Sequence, residues 1–303
     1  MEQKKILWPV VIAGIIFIGF LIFFLGGGVF GPKETVPPQS QTKLRVLATF
    51  FPIYDFASKV GKDRIELDIL FTQTPEIASF TPSDIQKINK ASIVIKNGLG
   101  LEPILDDLIA AGDSKDIEVV DASKGVRTVA SAEGPTDPHI WLDPNNVIIQ
   151  VENIRDAFIV HDGVNAGFYR ENSEKYIQEL RALDQEIQET VSKLSKKDFI
   201  AFHSAFQYLA KRYGLSQAAT IEEFPGKEPS PRYLSEVIKL IRTLGITAIF
   251  SEPQFSPKVV EVIARDLNLK VYALDPAETG DLVDDSYISI MRNNLEILRS
   301  ALR

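Results

Sequence analysis

Hydrophobic and polar positions along this chain fall into blocks whose period keeps changing. Short, nearly uninterrupted apolar runs read as buried strands at Leu44–Thr49, 65–71 (IELDILF), 92–98 (SIVIKNG), 117–123 (IEVVDAS), 199–203 (FIAFH), 247–252 (TAIFSE) and 270–275 (KVYALD). Between them apolar residues recur every three or four positions, with charges on the opposite face. That spacing predicts helices over 51–60, 83–91, 102–111, 204–214, 230–245, 257–268 and 287–302. Gly61 closes the first helix, and Ser83 or Asp84 caps the second. Strands alternating with helices imply βαβ units and mainly parallel sheets.

Two stretches break this rhythm. From Asn172 to about Leu194, apolar residues stand at Tyr176, Ile177, Leu180, Leu183, Ile187, Val191 and Leu194, with no Gly or Pro between them. A helix of about 23 residues rises roughly 35 Å, enough to cross a domain. The expected fold is therefore α/β: two lobes, 44–171 and 196–303, each a mainly parallel sheet flanked by helices, joined by one long helix over 172–195.

The other exception is the N-terminus, where Lys4 and Lys5 precede an uncharged run from Ile6 to Phe30. A bilayer core needs about 20 apolar residues, so residues 1–30 read as a single-pass transmembrane anchor. The basic flank predicts the N-terminus inside and the remainder on the extracytoplasmic face of the cell membrane. The alternative is a cleaved signal peptide, for which Gly26, Gly27 and Gly28 are small enough, although the run is longer than such a core requires. Residues 31–43 hold three prolines and no apolar period, and read as a linker.

Composition narrows the chemistry. The net charge of −8 argues against a nucleic-acid partner. There is no cysteine, which removes disulfides, thiolate metal sites and a lipid anchor on cysteine, and leaves His, Asp and Glu as the strong metal ligands. Histidine occurs only at His139, His161 and His203. His203 ends one strand, Asp275 ends another and Glu76 follows a third; the carboxyl ends of parallel strands are where open α/β sheets hold ligands. His139 lies in TDPHIWLDP between Asp137 and Asp143. Taken singly, each of these is more often a hydrogen-bonded, capping or solvated residue than a ligand.

The segment DPHIWLDP (137–144) resembles the zinc/manganese solute-binding proteins of ABC transporters, the long-helix type of periplasmic binding protein. The likeness continues through 81–103, FIAFHSAFQYLAKRYGL (199–215), EPSPRYLSEVIKLI (228–241) and 249–276, which includes SEPQF, and so covers nearly everything after the linker. It implies two lobes on a rigid helix with one metal ion in the cleft. It also implies a monomeric carrier, not an enzyme, that serves an ABC permease and its ATPase. By the same likeness His139 and His203 stand at ligand positions, Asp275 stands at a carboxylate that is a ligand in some members and a neighbour of the metal in others, and Glu76 stands eight residues before Asp84, where the family usually has histidine. Zn²⁺ is the first expectation as transported ligand and Mn²⁺ the second: a carboxylate hardens the site, yet N/O donors bind zinc more tightly than manganese.

Two other readings stay open: a family member that has lost its metal through Glu76, and a zinc hydrolase, for which no HExxH or GxSxG pattern is present. Glu228 and Glu252 read as structural or permease-docking residues, and His161 as a surface or packing histidine.

Overall fold

The computed structural model describes residues 43–111, 117–130, 136–222 and 226–303. The expected anchor, and all of the expected linker but Lys43, lie outside the described residues. The chain divides into residues 1–42 and a unit spanning Lys43–Arg303, which is described here. No helix among the described residues is long and apolar enough to cross a membrane.

Two four-stranded, wholly parallel sheets organise the unit. The first contains β1 (Leu44–Ala48), β2 (Ile65–Ile69), β3 (Ile93–Lys96) and β4 (Glu118–Asp121), in the order β2-β1-β3-β4. The second contains β5 (Asp198–Ala201), β6 (Ser216–Thr220), β7 (Ala248–Ser251) and β8 (Lys270–Ala273), in the matching order β6-β5-β7-β8. Central strands such as β3 and β7 are apolar along nearly their whole length because helices cover both faces. In each sheet the chain steps outward from the first strand and then returns past it. The carboxyl ends of β1 and β3, and of β5 and β7, therefore diverge and leave a crevice.

The helices are α1 (Phe51–Gly61), α2 (Pro82–Lys90), α3 (Leu105–Ala111), α4 (Pro144–His161), α5 (Ala166–Ser192), α6 (Gln207–Tyr213), α7 (Pro231–Leu244), α8 (Lys258–Leu267) and α9 (Tyr287–Ala301). The long helix α5 starts at Ala166, six residues before the expected Asn172, because Gly167 stands in its first turn, where a glycine does not interrupt an established ladder. Its buried stripe, from Tyr169 through Tyr176, Leu180 and Leu183 to Val191, joins the inner faces of both sheets in one core.

Two elements carry no clear periodic signal in the sequence. Helix α4 buries Val147, Val151, Ile154 and Phe158, but Ile148, Ile149, Ile159 and Val160 stand on its other side and blur the stripe. Strand β6, SQAAT, carries no large apolar side chain, and pairs along one edge of its sheet.

Buried polar contacts tie the lobes to α5. The Asp55 carboxylate on α1 accepts from the Tyr176 hydroxyl on α5 at 3.0 Å and from the Tyr287 amide on α9 at 3.4 Å. Asp184 on α5 accepts from Asn145 of the first lobe at 2.9 Å and from the Tyr213 hydroxyl of the second at 2.8 Å.

Candidate metal centre

The two crevices face each other, and the loops leaving the strands converge there. His203 lies two residues beyond β5; its amide donates to Glu252 Oε1 at 3.1 Å and its Nδ1 lies 2.5 Å from Glu252 Oε2. Glu252 is the first residue beyond β7, so one neighbouring strand end supplies the imidazole and the next its support. His139 is held in the same manner: Asp137 Oδ1 accepts from the His139 amide at 2.9 Å and lies 2.8 Å from Nδ1. Asn97, just past β3, donates to the carbonyl of Pro138 at 2.9 Å and steadies the segment from behind. A carboxylate on Nδ1 places the proton of a neutral imidazole there and leaves the Nε2 lone pair aimed into the cleft.

The two Nε2 atoms stand 3.3 Å apart. Glu278 Oε1 lies 3.5 Å from each, and Glu76 Oε1 lies 3.2 Å from that of His139. His139, His203 and Glu278 are each 2% exposed or less. All four oxygens of Glu76 and Glu278 are buried without a hydrogen-bond donor. Buried anionic oxygens are normally satisfied, so four orphans beside two imidazole lone pairs mark a place for a cation. The spacing agrees. Tetrahedral ligands about 2.0–2.1 Å from a zinc-sized ion lie roughly 3.3 Å from one another.

The electrostatics point the same way. Burial alone would lower both imidazoles, but the carboxylates outweigh it. Glu252, then Glu278, push His203 up to about 10. Asp137, Glu278 and Glu76 push His139 well above the ordinary histidine value. Burial alone would raise Glu278, yet the two imidazoles hold it below the usual carboxylate range. Without metal the site therefore retains protons, and a metal ion must displace them.

Of the residues singled out from sequence, His139 and His203 come together here with Glu278, and Glu76 reaches the site through its contact with His139. Asp275 does not. It accepts from the Ala277 amide at 2.8 Å and from Gln254 at 2.9 Å, closing a turn in its own loop. Ala277 then takes a left-handed conformation (φ 59°), and this turn delivers Glu278, the next residue, to the imidazoles. A sequence signal existed, since Glu278 is a second carboxylate in the same post-strand loop as Asp275. Glu252, read as structural or docking, is the partner of His203, and Asp137 holds the matching place beside His139. Glu228 is exposed, and His161 pairs with Glu118 at 2.6 Å on the surface.

A family model described as "Zinc-uptake complex component A periplasmic" matches residues 46–301. The chain belongs to this zinc-uptake family. It is 30% identical to the "High-affinity zinc uptake system protein ZnuA" of Bacillus subtilis, over 86% of this chain and 88% of that one. It is 28% identical to the "Zinc-binding lipoprotein AdcA" of Streptococcus pneumoniae, again over 86% of this chain, but it spans only 56% of AdcA. Among solved structures, the laminin-binding protein Lmb of Streptococcus agalactiae superposes with a TM-score of 0.80 at 28% identity, covering 86% of this chain and all of that one. FpvC of Pseudomonas aeruginosa, solved in complex with Mn²⁺, gives 0.78 at 29% identity, covering 86% and 98%. The zinc-uptake family is one of transport components and not of enzymes.

Proposed function

We propose that this chain is the extracytoplasmic solute-binding subunit of a metal importer. It takes a divalent transition metal between Glu76, His139, His203 and Glu278, and passes it to an ABC permease driven by an ATPase. The observation that carries this reading is the meeting of two imidazole Nε2 atoms with four carboxylate oxygens that have no donor. It also argues against loss of the site through Glu76, whose carboxylate turns toward His139 at 3.2 Å.

Zn²⁺ is the first choice of cargo and Mn²⁺ the second. Two carboxylates beside two imidazoles soften the usual advantage of zinc, but for a shared N/O site the order of affinities still favours zinc. The zinc names carried by ZnuA and AdcA support that order, and the Mn²⁺ complex of FpvC supports the runner-up. In this reading residues 1–30 tether a monomer to the membrane, and α5 (Ala166–Ser192) connects a lobe that begins at residue 44 to one that runs over 196–303. The buried ties of α5 to both lobes favour small loop movements at release over a wide hinge.

The test is thermal unfolding of the full chain, metal-free and with each divalent ion. A ligand that prefers the native state raises the midpoint. Zn²⁺ and Mn²⁺ are expected to do so, and a His139→Ala, His203→Ala double variant to respond to neither. A wild-type midpoint unmoved by every divalent metal contradicts the reading.

A further inference from the structure

The loops that carry His139 and Glu278 belong to different lobes, and one side chain joins them. Trp141 lies two residues after His139 and is fully buried. Its indole N–H donates to the carbonyl of Pro276, two residues before Glu278, at 2.7 Å. The backbone carbonyl of Trp141 in turn accepts from the Tyr287 hydroxyl at 2.7 Å, and its ring meets Phe50 edge-on at 4.9 Å and the His139 ring at 5.3 Å. On the other side of the bridge, Asn294 grips Asp275 twice, accepting from its amide at 2.9 Å and donating to its carbonyl at 2.6 Å.

These contacts have work to do. The turn they hold includes Ala277 at φ 59°, a conformation unfavourable for any residue with a Cβ. In the metal-free protein the contacts between the imidazoles and the carboxylates of Glu76 and Glu278 are 3.2–3.5 Å long, too loose by themselves to fix the Glu278 loop. Something other than the metal must hold the ligands in register, and the Trp141–Pro276 hydrogen bond is the direct tie between the two loops.

We propose that Trp141 is a positioning residue for metal retention: its N–H bond to Pro276 holds Glu278 in place against His139, so that a bound ion finds the ligands assembled and leaves slowly. This rests on the metal-binding reading above. Without the bond, the metal itself must assemble the loops. First encounter is unaffected, while each opening of the Glu278 loop frees the ion, so the loss appears in dissociation.

The experiment replaces Trp141 in the full chain by 3-benzothienylalanine, which keeps the ring shape and substitutes sulfur for the N–H, and makes Trp141→Phe as a second variant. Zn²⁺ association, and dissociation into excess chelator, are followed in each, beside metal-free thermal unfolding. The isostere is expected to release Zn²⁺ about tenfold faster, the effect of one hydrogen bond, with association within about twofold and the unfolding midpoint retained. Trp141→Phe is expected to show the same split with a lowered midpoint. Wild-type dissociation in the isostere overturns the proposal, as does an equal change in both rates, which makes the bond a gate and not a positioning contact. Failure of the unmodified chain to take up Zn²⁺ overturns the metal-binding reading itself, an outcome seen before any variant is made.

Discussion

The Nε2 atoms of His139 and His203 face each other at 3.3 Å across the cleft, and each ring is backed on its far side by a buried carboxylate, Asp137 for one and Glu252 for the other. Two lone pairs at that range repel unless a proton or a metal ion lies between them. The same arrangement therefore binds either, and the two compete.

That competition makes zinc binding a proton-releasing event. With His203 pushed up to about 10 and His139 also raised, both imidazoles hold protons near neutrality that a metal must displace. Calorimetry in buffers of different ionisation enthalpy is expected to show about two protons released per Zn²⁺ at pH 7–8, with affinity weakening as pH falls. Binding without proton release contradicts this account.

The metal-free protein has the opposite sign of pH dependence. A histidine whose folded value is raised stabilises the fold by holding its proton. That contribution is complete below the unfolded value near 6.5 and disappears as pH rises through about 10 for His203. Melting between pH 6 and 10 should show the metal-free midpoint dropping more steeply than the zinc-saturated one.

Glu252→Gln keeps the shape beside His203 but removes the charge that makes the imidazole a strong donor. Zinc affinity is expected to fall by about 10- to 100-fold, the usual effect of losing such a supporting carboxylate. Competition with a chromogenic chelator measures it. His203→Ala is expected to be less stable by about 3 kcal/mol, since it leaves Glu252 buried without its partner.

The two carboxylates of the last loop are separable. Glu278→Gln removes an anionic ligand and is expected to weaken Zn²⁺ by more than about 100-fold, whereas Asp275→Asn still accepts from Ala277 and should cost less than about tenfold. Equal losses at both positions contradict the assignment of Glu278. Glu76→His, which exchanges an oxygen donor for an imidazole, is expected to tighten Zn²⁺ relative to Mn²⁺.

Gly280 gives a packing test of the same loop. A Cβ there meets the Phe51 ring at 2.6 Å, so Gly280→Ala must displace the loop or the ring. It is expected to lower stability by about 1–3 kcal/mol and to weaken zinc, read by chemical denaturation and chelator competition.

The elements that were legible in sequence share one property: their signal is local. The apolar runs at Val46–Ala48, Ile93–Ile95 and 248–251 announce buried parallel strands because helices cover both their faces. The spacing from Tyr176 to Val191 announces α5 because one stripe faces a core. Helix α4, apolar on more than one side, and β6, without a large side chain, gave no such signal.

By itself the chain determined its alternation of strands and helices, the long connecting helix, and a donor set confined to His, Asp and Glu, because period and composition are properties of neighbouring residues. Only the tertiary structure decided that Glu278 and not Asp275 meets the imidazoles, and that Asp137 and Glu252 stand behind them. Those outcomes depend on a left-handed turn at Ala277 and on the meeting of His203, just beyond β5, with His139, 64 residues earlier in the segment that leads into α4. A carboxylate's role here is set by where a packed backbone aims it, which no local pattern encodes.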